Sequence, residues 1–253
     1  MSASATGTQA VDRAALLLST VVESEEPLAF ADIAEECGLP KSTTSRLLTA
    51  LERTELVERT SLGEYVAGPL FSRFASRHES ADLSRIAMPV LQSLGDVTGE
   101  TVNLGVARAK HVSHVAQVDS TFLLGTRDWT EVEVPNHVSA LGKVLLAAGS
   151  LPFDRPLAAL TDHTITDPAA LEAELAGVRL QGWASTTDEL EVGLTGIAVP
   201  VFSNTGDVVA ALGISGPTPR LSGRHEALAR LLIDQAAHLT TLLGHHFPKE
   251  GVA

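Results

Sequence analysis

Apolar positions recur every three to four residues through the first quarter of the chain, punctuated at short intervals by proline and glycine. In "QAVDRAALLLSTVVES", Val11, Ala14, Ala15, Leu18 and Val22 share helical spacing and predict an amphipathic first helix that Pro27 ends. "FADIAEEC" then puts Phe30, Ile33, Ala34 and Cys37 on one face and Asp32, Glu35 and Glu36 on the other, with Gly38 suited to the left-handed residue beyond its end. "LPKSTTSRLLTALERTELV" predicts a third helix that opens at Pro40, is capped by Ser42 or Thr43, and turns Leu47, Leu48 and Leu51 inward. Small Ala34 lets the second and third helices approach, and Ile33, Leu39 and Leu47 are the contacts expected between them. The short runs Leu56–Arg59 and Glu64–Ala67, around a turn with Gly63, predict a hairpin. Two short helices joined through a glycine and followed by a hairpin form a winged helix-turn-helix arrangement.

From Pro69 the helical spacing predicts two further helices, "PLFSRFASRHES" and "ADLSRIAMPVLQSLGDVTG". In the second, Leu83, Ile86, Ala87, Val90, Leu91 and Leu94 are inward, and Pro89 marks a kink or break. Near residue 100 the period changes. "ETVNLGVA" and "HVSHVAQVD" read as strands across a tight turn, and "GIAVPVF" and "DVVAALGIS" as a hairpin across "SNTGD". "HVSALGKVLLAAG" reads as a helix. "DPAALEAELAGVRLQG" reads as another, with Asp167 as N-cap, Pro168 at its first position and Gly182 past its end. A long helix closes the chain. Strand pairs mixed with helices favour the α+β class over a doubly wound parallel sheet.

Composition narrows this reading. The 253 residues are 44% hydrophobic and 19% charged, which suits one large globular domain or two modest ones. No apolar run approaches the ~20 residues of a membrane helix. "MSASATGTQ" has neither a basic start nor an apolar core, so no secretory signal and no membrane partner are expected, and a cytoplasmic location is. The single Cys37 excludes an intramolecular disulfide and a thiolate metal cluster.

The net charge of −13 argues against a general nucleic-acid binder, and neither part is basic: 7 Lys/Arg stand against 11 Asp/Glu in residues 1–78, and 11 against 20 beyond. Binding surfaces, however, are local. Between Gly38 and Thr49 there is no acid, while Lys41 and Arg46 stand among Ser42, Thr43, Thr44, Ser45 and Thr49. A carboxylate there would repel phosphate, whereas hydroxyls, cations and helix N-terminal N–H groups bond phosphates and base edges. These seven residues are the candidate DNA contacts, with Arg59 in the hairpin reaching the backbone or minor groove. The alternative is a solvated, hydroxyl-rich helix face beside an ordinary hairpin.

Other chemistry is thinly represented. His111 and His114 fall on opposite faces of a strand and suit no shared metal, so no metal and no cofactor are expected. Asp188, Glu189 and Glu191 read as a solvated acidic loop. Arg127 is a candidate carboxylate partner, or a surface charge. Neither a glycine-rich phosphate loop nor a nucleophile elbow occurs. Two functions remain: an effector-controlled DNA-binding regulator, and an enzyme acting on a small organic acid with an N-terminal oligomerisation module.

"GLPKSTTSRLLTALERTELVER", "TGETVNLGV", "HVSALGKVLLA", "TDPAALEAELAGVRLQGWA", "EVGLTGIAVPVF", "GDVVAALGISGPTPRL" and a final helix ending "LLG" occur in the order typical of IclR-type transcriptional regulators, which the chain resembles from about residue 8 to about residue 245. A disordered start (1–8) is expected, and the resemblance implies a winged helix-turn-helix DNA-binding domain (9–78), a linker helix (79–98) and a GAF-like α/β effector-binding domain (99–253). It implies homodimers, or tetramers as dimers of dimers, on double-stranded operator DNA, and a small organic effector, a carboxylic acid in the best-understood members. The implied effector site is Ser139, Ala140, Leu141 and Gly142 at the start of "SALGK", with Thr186, Gly196, Gly213 and Ser215. Where the glyoxylate- and pyruvate-responding member carries Asp, Cys and Ser, this chain has Thr186, Gly196 and Gly213. That departure predicts a roomier or less polar pocket and an aromatic acid or other degradation intermediate as ligand. The alternative is that both glycines only permit close backbone packing.

Overall fold

The structure is a computed structural model that describes residues 5–123, 128–129, 133–152 and 155–246. Its contacts group into two compact units that divide between Glu79 and Ser80.

The first unit contains α1 (Ala5–Glu23), α2 (Phe30–Glu36), α3 (Lys41–Arg53), β1 (Val57–Arg59) and β2 (Tyr65–Ala67), and α4 (Pro69–Thr98) begins in it. α1 starts within the segment expected to be disordered, since residues 5–8 are helical. Its buried positions are Leu17 and Val21, not the expected Val11 and Val22, which are exposed. Leu17 and Val21 meet Ile33, Cys37, Leu48, Leu51, Val57 and Tyr65 in one core. α2 ends as its sequence predicts. Gly38 is left-handed (φ +59°), its N–H bonds the Glu35 carbonyl, and the Leu39 N–H bonds that of Ala34. α3 begins differently, because Pro40 itself is the N-cap and neither Ser42 nor Thr43 caps the helix. β1 and β2 pair antiparallel, and Leu28 bridges to Tyr65, so the α1–α2 connection is stitched to the hairpin.

The two helices expected between residues 69 and 98 are one, α4, with Pro89 inside it. No glycine or proline occurs at residues 79–82 to stop the first. From Ser80 onward α4 belongs to the second unit, where Leu83, Ile86, Ala87, Val90, Leu91 and Leu94 enter the main core. That burial offsets the roughly 3 kcal/mol cost of an interior proline.

The second unit adds β3 (Thr101–Arg108), β4 (His111–Val118), a 3-10 turn (Asn136–Val138), α5 (Ala140–Ala147), α6 (Pro168–Gln181), β5 (Ala184–Thr187), β6 (Leu194–Phe202), β7 (Val208–Pro217), α7 (Thr218–Leu221) and α8 (His225–His246). The sheet order is β4-β3-β7-β6-β5, antiparallel throughout. β5 was not legible as a strand: "ASTT" has no apolar alternation and is extended because it pairs with β6. One sheet face carries Val102, Leu104, Val199, Leu212 and Ile214 against α4 and α8. The other carries Gly105, Ala184, Gly196, Ala198, Ala211 and Gly213, and these small residues let α5 lie close to the strands. All eight residues of α5 are consequently buried. α6 follows its sequence signals, with Gly182 left-handed and the Asp167 carboxylate accepting from the Ala169 and Ala170 N–H groups at 3.3 and 3.1 Å. Asp167→Ala is expected to cost about 0.5–2 kcal/mol in denaturant unfolding, with Asp167→Asn nearly neutral.

Candidate functional site

On α3, Lys41, Ser42, Ser45, Arg46 and Thr49 are exposed and Thr43 is half-buried. Five exposed positions at i, i+1, i+4, i+5 and i+8 make one helical face. No acid lies in the first turn. Thr43 and Thr44 donate their N–H groups to the Pro40 carbonyl, which leaves those of Lys41 and Ser42 directed beyond the helix end. Thr44 leaves the candidate set, being 0% exposed with its hydroxyl 3.3 Å from the Pro40 carbonyl. Its position in the run was legible but its burial was not, because inward rotation follows from where Leu48 and Leu51 meet α1. In the hairpin, Arg59 is exposed, donates its Nε–H to the Gly63 carbonyl at 3.2 Å and lies over the Tyr65 ring.

In the second unit a cavity of about 60 Å³ opens at the N-terminus of α5. It is lined by Ser139, Ala140, Leu141, Thr186, Gly196, Gly213 and Ser215, seven of the residues implied for the effector site. Sheet register explains the grouping: Thr186 pairs Gly196 and Gly196 pairs Ser215, so three strands bring one row to one face. Gly142 does not line it. A Cβ there would lie 2.1 Å from the Asn136 carbonyl, so this glycine lets the 3-10 turn and α5 close on each other. Its N–H bonds the Ser139 hydroxyl at 2.9 Å, which caps α5. Arg127 lies outside the described residues.

The cavity is less polar than in the implied pattern, but it is not roomy. A Cβ at Gly213 would come within 3.0 Å of Leu141 Cδ2, and one at Gly105 within 3.3 Å of Leu141 Cδ1. Leu141 therefore fills the space that the missing side chains leave. Val134, Val138, Leu190, Leu194 and Trp129 make the apolar walls.

Two polar lining residues were missed, Asn103 and His114. Asn103 is 4% exposed. Its Nδ2 donates to the Ser215 hydroxyl at 3.3 Å, and its Oδ1 is buried without a partner among the described residues. His114 Nδ1 is also buried without a partner among the described residues. Burial holds the His114 imidazole below its ordinary pKa, against the pull of Asp128. A β-bulge directs it: Leu104 pairs Ala116 and Gly105 pairs His114, which leaves Val115 as the extra residue. His111 turns away, as strand alternation predicts, and meets Glu133 at 2.7 Å.

The acidic loop after β5 is not simply solvated. Lys143 of α5 is 0% exposed, and its Nζ lies 2.5 Å from Glu174 Oε1 and 2.7 and 2.8 Å from the two Glu189 oxygens. Burial pushes the Glu189 carboxyl above its usual pKa, and Lys143 opposes that rise. Asp188 accepts from the Thr218 hydroxyl at 2.7 Å and the Gly193 N–H at 2.8 Å, and both bonds hold its carboxyl below the usual range. Glu191 is exposed. The loop that supplies Leu190 to the cavity is thus tied to α5 and α7. Among the described residues, no group of three or more His, Cys, Asp and Glu is placed to hold a metal, and no helix is long and apolar enough to cross a membrane.

Comparison with known proteins places the chain in a wider group. A model of the IclR helix-turn-helix domain matches residues 10–61, and one of the bacterial transcriptional regulator IclR C-terminal domain matches residues 75–241. The HTH-type transcriptional regulator BhcR of Paracoccus denitrificans is 34% identical, the match covering 92% of this chain and 87% of that one. The transcriptional repressor IclR of Escherichia coli is 32% identical over 95% and 92%. Among solved structures, an IclR homolog complexed with 4-hydroxybenzoate from Microbacterium hydrocarbonoxydans is similar with a TM-score of 0.60 at 25% identity, covering 93% of this chain and 99% of that one.

Proposed function

The chain belongs to the IclR family of bacterial transcriptional regulators, and from that premise we propose that it binds operator DNA through the exposed face of α3 under the control of a small organic acid held at the N-terminus of α5. It is a regulator and not an enzyme, since its curated relatives are named regulators and repressors. DNA binding belongs to the unit ending at Glu79 and effector binding to the unit from Ser80. The observation that carries the DNA reading is the acid-free face of Lys41, Ser42, Ser45, Arg46 and Thr49 on the helix preceding a hairpin. Arg59 adds a backbone contact from the hairpin.

The effector reading is supported by the cavity of about 60 Å³ and by the 4-hydroxybenzoate in one structural relative. Ala140 and Leu141 present N–H groups that have no acceptor within α5, a setting for a carboxylate. An apolar cavity of about 150 Å³ holds benzene. The smaller space beside Leu141 favours a short acid over the aromatic one that the glycines first suggested.

Two copies acting together are supported by α1. Val11 (67% exposed), Ala15 and Val22 are exposed at i, i+4 and i+11 along one side of α1, with Leu18 between them only partly covered by the unit's own core. α4 is the covalent connection through which effector occupancy reaches α3, and the effector acts only if it binds the DNA-competent and DNA-incompetent states unequally.

Fluorescence anisotropy on labelled DNA from upstream of the chain's own gene tests the reading. The expected result is specific binding that weakens steeply with salt and shifts on addition of a panel of short carboxylic acids. Binding equal to that of unrelated DNA at every salt concentration would reject it.

A further inference from the structure

We propose that the effector carries a hydroxyl donor as well as a carboxylate, that it is a short aliphatic hydroxy acid, and that Asn103 is the residue that selects it. The proposal rests on the reading of the α5 cavity as the effector site. Asn103 lines that cavity, is 4% exposed and has a buried Oδ1 with no partner among the described residues. A buried acceptor left unpaired is costly, and native structures retain few of them. The amide's other end is committed at 3.3 Å to Ser215, which lines the same cavity.

Sheet register sets the ligand's length. Asn103 pairs Gly213, and Gly213 lies against Leu141 in the first turn of α5. Neighbouring strands are about 5 Å apart. A carboxylate on the Ala140 and Leu141 N–H groups and a hydroxyl on Asn103 Oδ1 therefore belong to one small molecule of two to four carbons, at most about the span of a strand spacing plus a hydrogen bond. The cavity of about 60 Å³ imposes the same limit. Burial holds the His114 imidazole below its ordinary pKa, so it adds a polar edge to the cavity, and the ligand's carboxylate is placed at the helix terminus.

A keto acid of the same skeleton brings only acceptors and leaves Asn103 Oδ1 unpaired. Sites built to bond a hydroxyl reject the analogue that lacks one. The test is calorimetric titration of the full chain near neutral pH with two matched pairs, lactate against pyruvate and 2-hydroxybutyrate against 2-oxobutyrate. The expected result is at least a tenfold preference for each hydroxy acid. That ratio should collapse to about one in Asn103→Leu, whose unliganded melting temperature stays at or above the parent's because an unpaired acceptor has been removed. Where leucine does not fold, Asn103→Ala replaces it, and the ratio in the unsubstituted protein is informative without any variant.

Gly196→Val separates the two readings by placing bulk into the cavity beside Thr186 and Ala140. Equal binding within a pair, or a preference for the keto acid, in a protein that Gly196→Val makes unable to bind either, overturns the Asn103 proposal and leaves the cavity as the effector site. Keto preference is the result expected if the amide is turned to present its NH2. Binding by none of the four acids, or binding that Gly196→Val does not weaken, overturns both.

Discussion

Lys143→Met is expected to destabilise the second unit by about 3–5 kcal/mol, the usual consequence of removing one partner from a buried ion pair. For a unit of this size that is a fall in melting temperature of roughly 6–20 °C. The two acids left behind differ in their escape. The Glu174 side chain is 32% exposed and reaches water, whereas that of Glu189 is 9% exposed and does not. Glu189 therefore carries most of the loss. Its carboxyl is already raised above the ordinary value by burial, with Lys143 as the opposing influence. Without Lys143 it rises further. A carboxyl raised in the folded state penalises folding above its folded pKa, and the penalty disappears below the unfolded one. The deficit of Lys143→Met should therefore shrink as pH falls from 7 toward the ordinary carboxylate range. Lys143→Met/Glu189→Leu should recover more than half of the loss, because no stranded charge remains. Urea unfolding at several pH values reads both effects. A deficit independent of pH, together with no recovery in the double variant, would mean that the lysine stem's packing and not its charge supports α5.

The second large effect concerns DNA. Arg46→Ala should weaken operator binding by about 1–3 kcal/mol for each recognition helix engaged, as expected when a bidentate base contact is lost. In a two-fold complex the loss counts twice. Lys41→Ala, at the helix N-terminus, should weaken binding more evenly across sequences and flatten the salt dependence by about one unit of slope. Thr44→Val is the control, since its hydroxyl serves the Pro40 carbonyl from inside the core. That variant should lose a little stability and keep its DNA affinity. Anisotropy on specific and unrelated duplexes measures all three. If Thr44→Val alone reduced specificity while Arg46→Ala and Lys41→Ala bound as the parent does, the face assigned to DNA would be the wrong one.

These two regions were legible to different degrees, and the reason lies in the range of the interactions. The α2–α3 turn, the hairpin after α3, the caps at Asp167 and Gly182 and the β6–β7 hairpin depend on residues near one another in the chain. Their signals survive in a short window: a left-handed glycine, an acidic N-cap, an apolar run on each side of a tight turn. The acid-free stretch from Gly38 to Thr49 is of the same kind. The resemblance to a family added the α5 segment, Thr186, Gly196, Gly213 and Ser215, which no local pattern connects.

The sequence by itself determined most of the elements, their order, the α+β class and the polarity of the α3 face, because helix periodicity and turn chemistry act over a few residues. Tertiary structure alone decided which side of each element was spent on the core. It turned Val11 and Val22 outward and Thr44 inward, joined two expected helices into one 30-residue α4, and made a strand of Ala184–Thr187 by pairing. It also decided the chemistry of the cavity. Leu141 closes the space left by Gly105 and Gly213, a bulge at Val115 brings His114 to that face, and Asn103 meets Ser215 across 112 positions of sequence. Lys143 draws Glu174 and Glu189 to one buried point from 31 and 46 positions away. Such contacts depend on strand register and on burial, which belong to the whole sheet and leave no trace in the spacing of neighbouring residues.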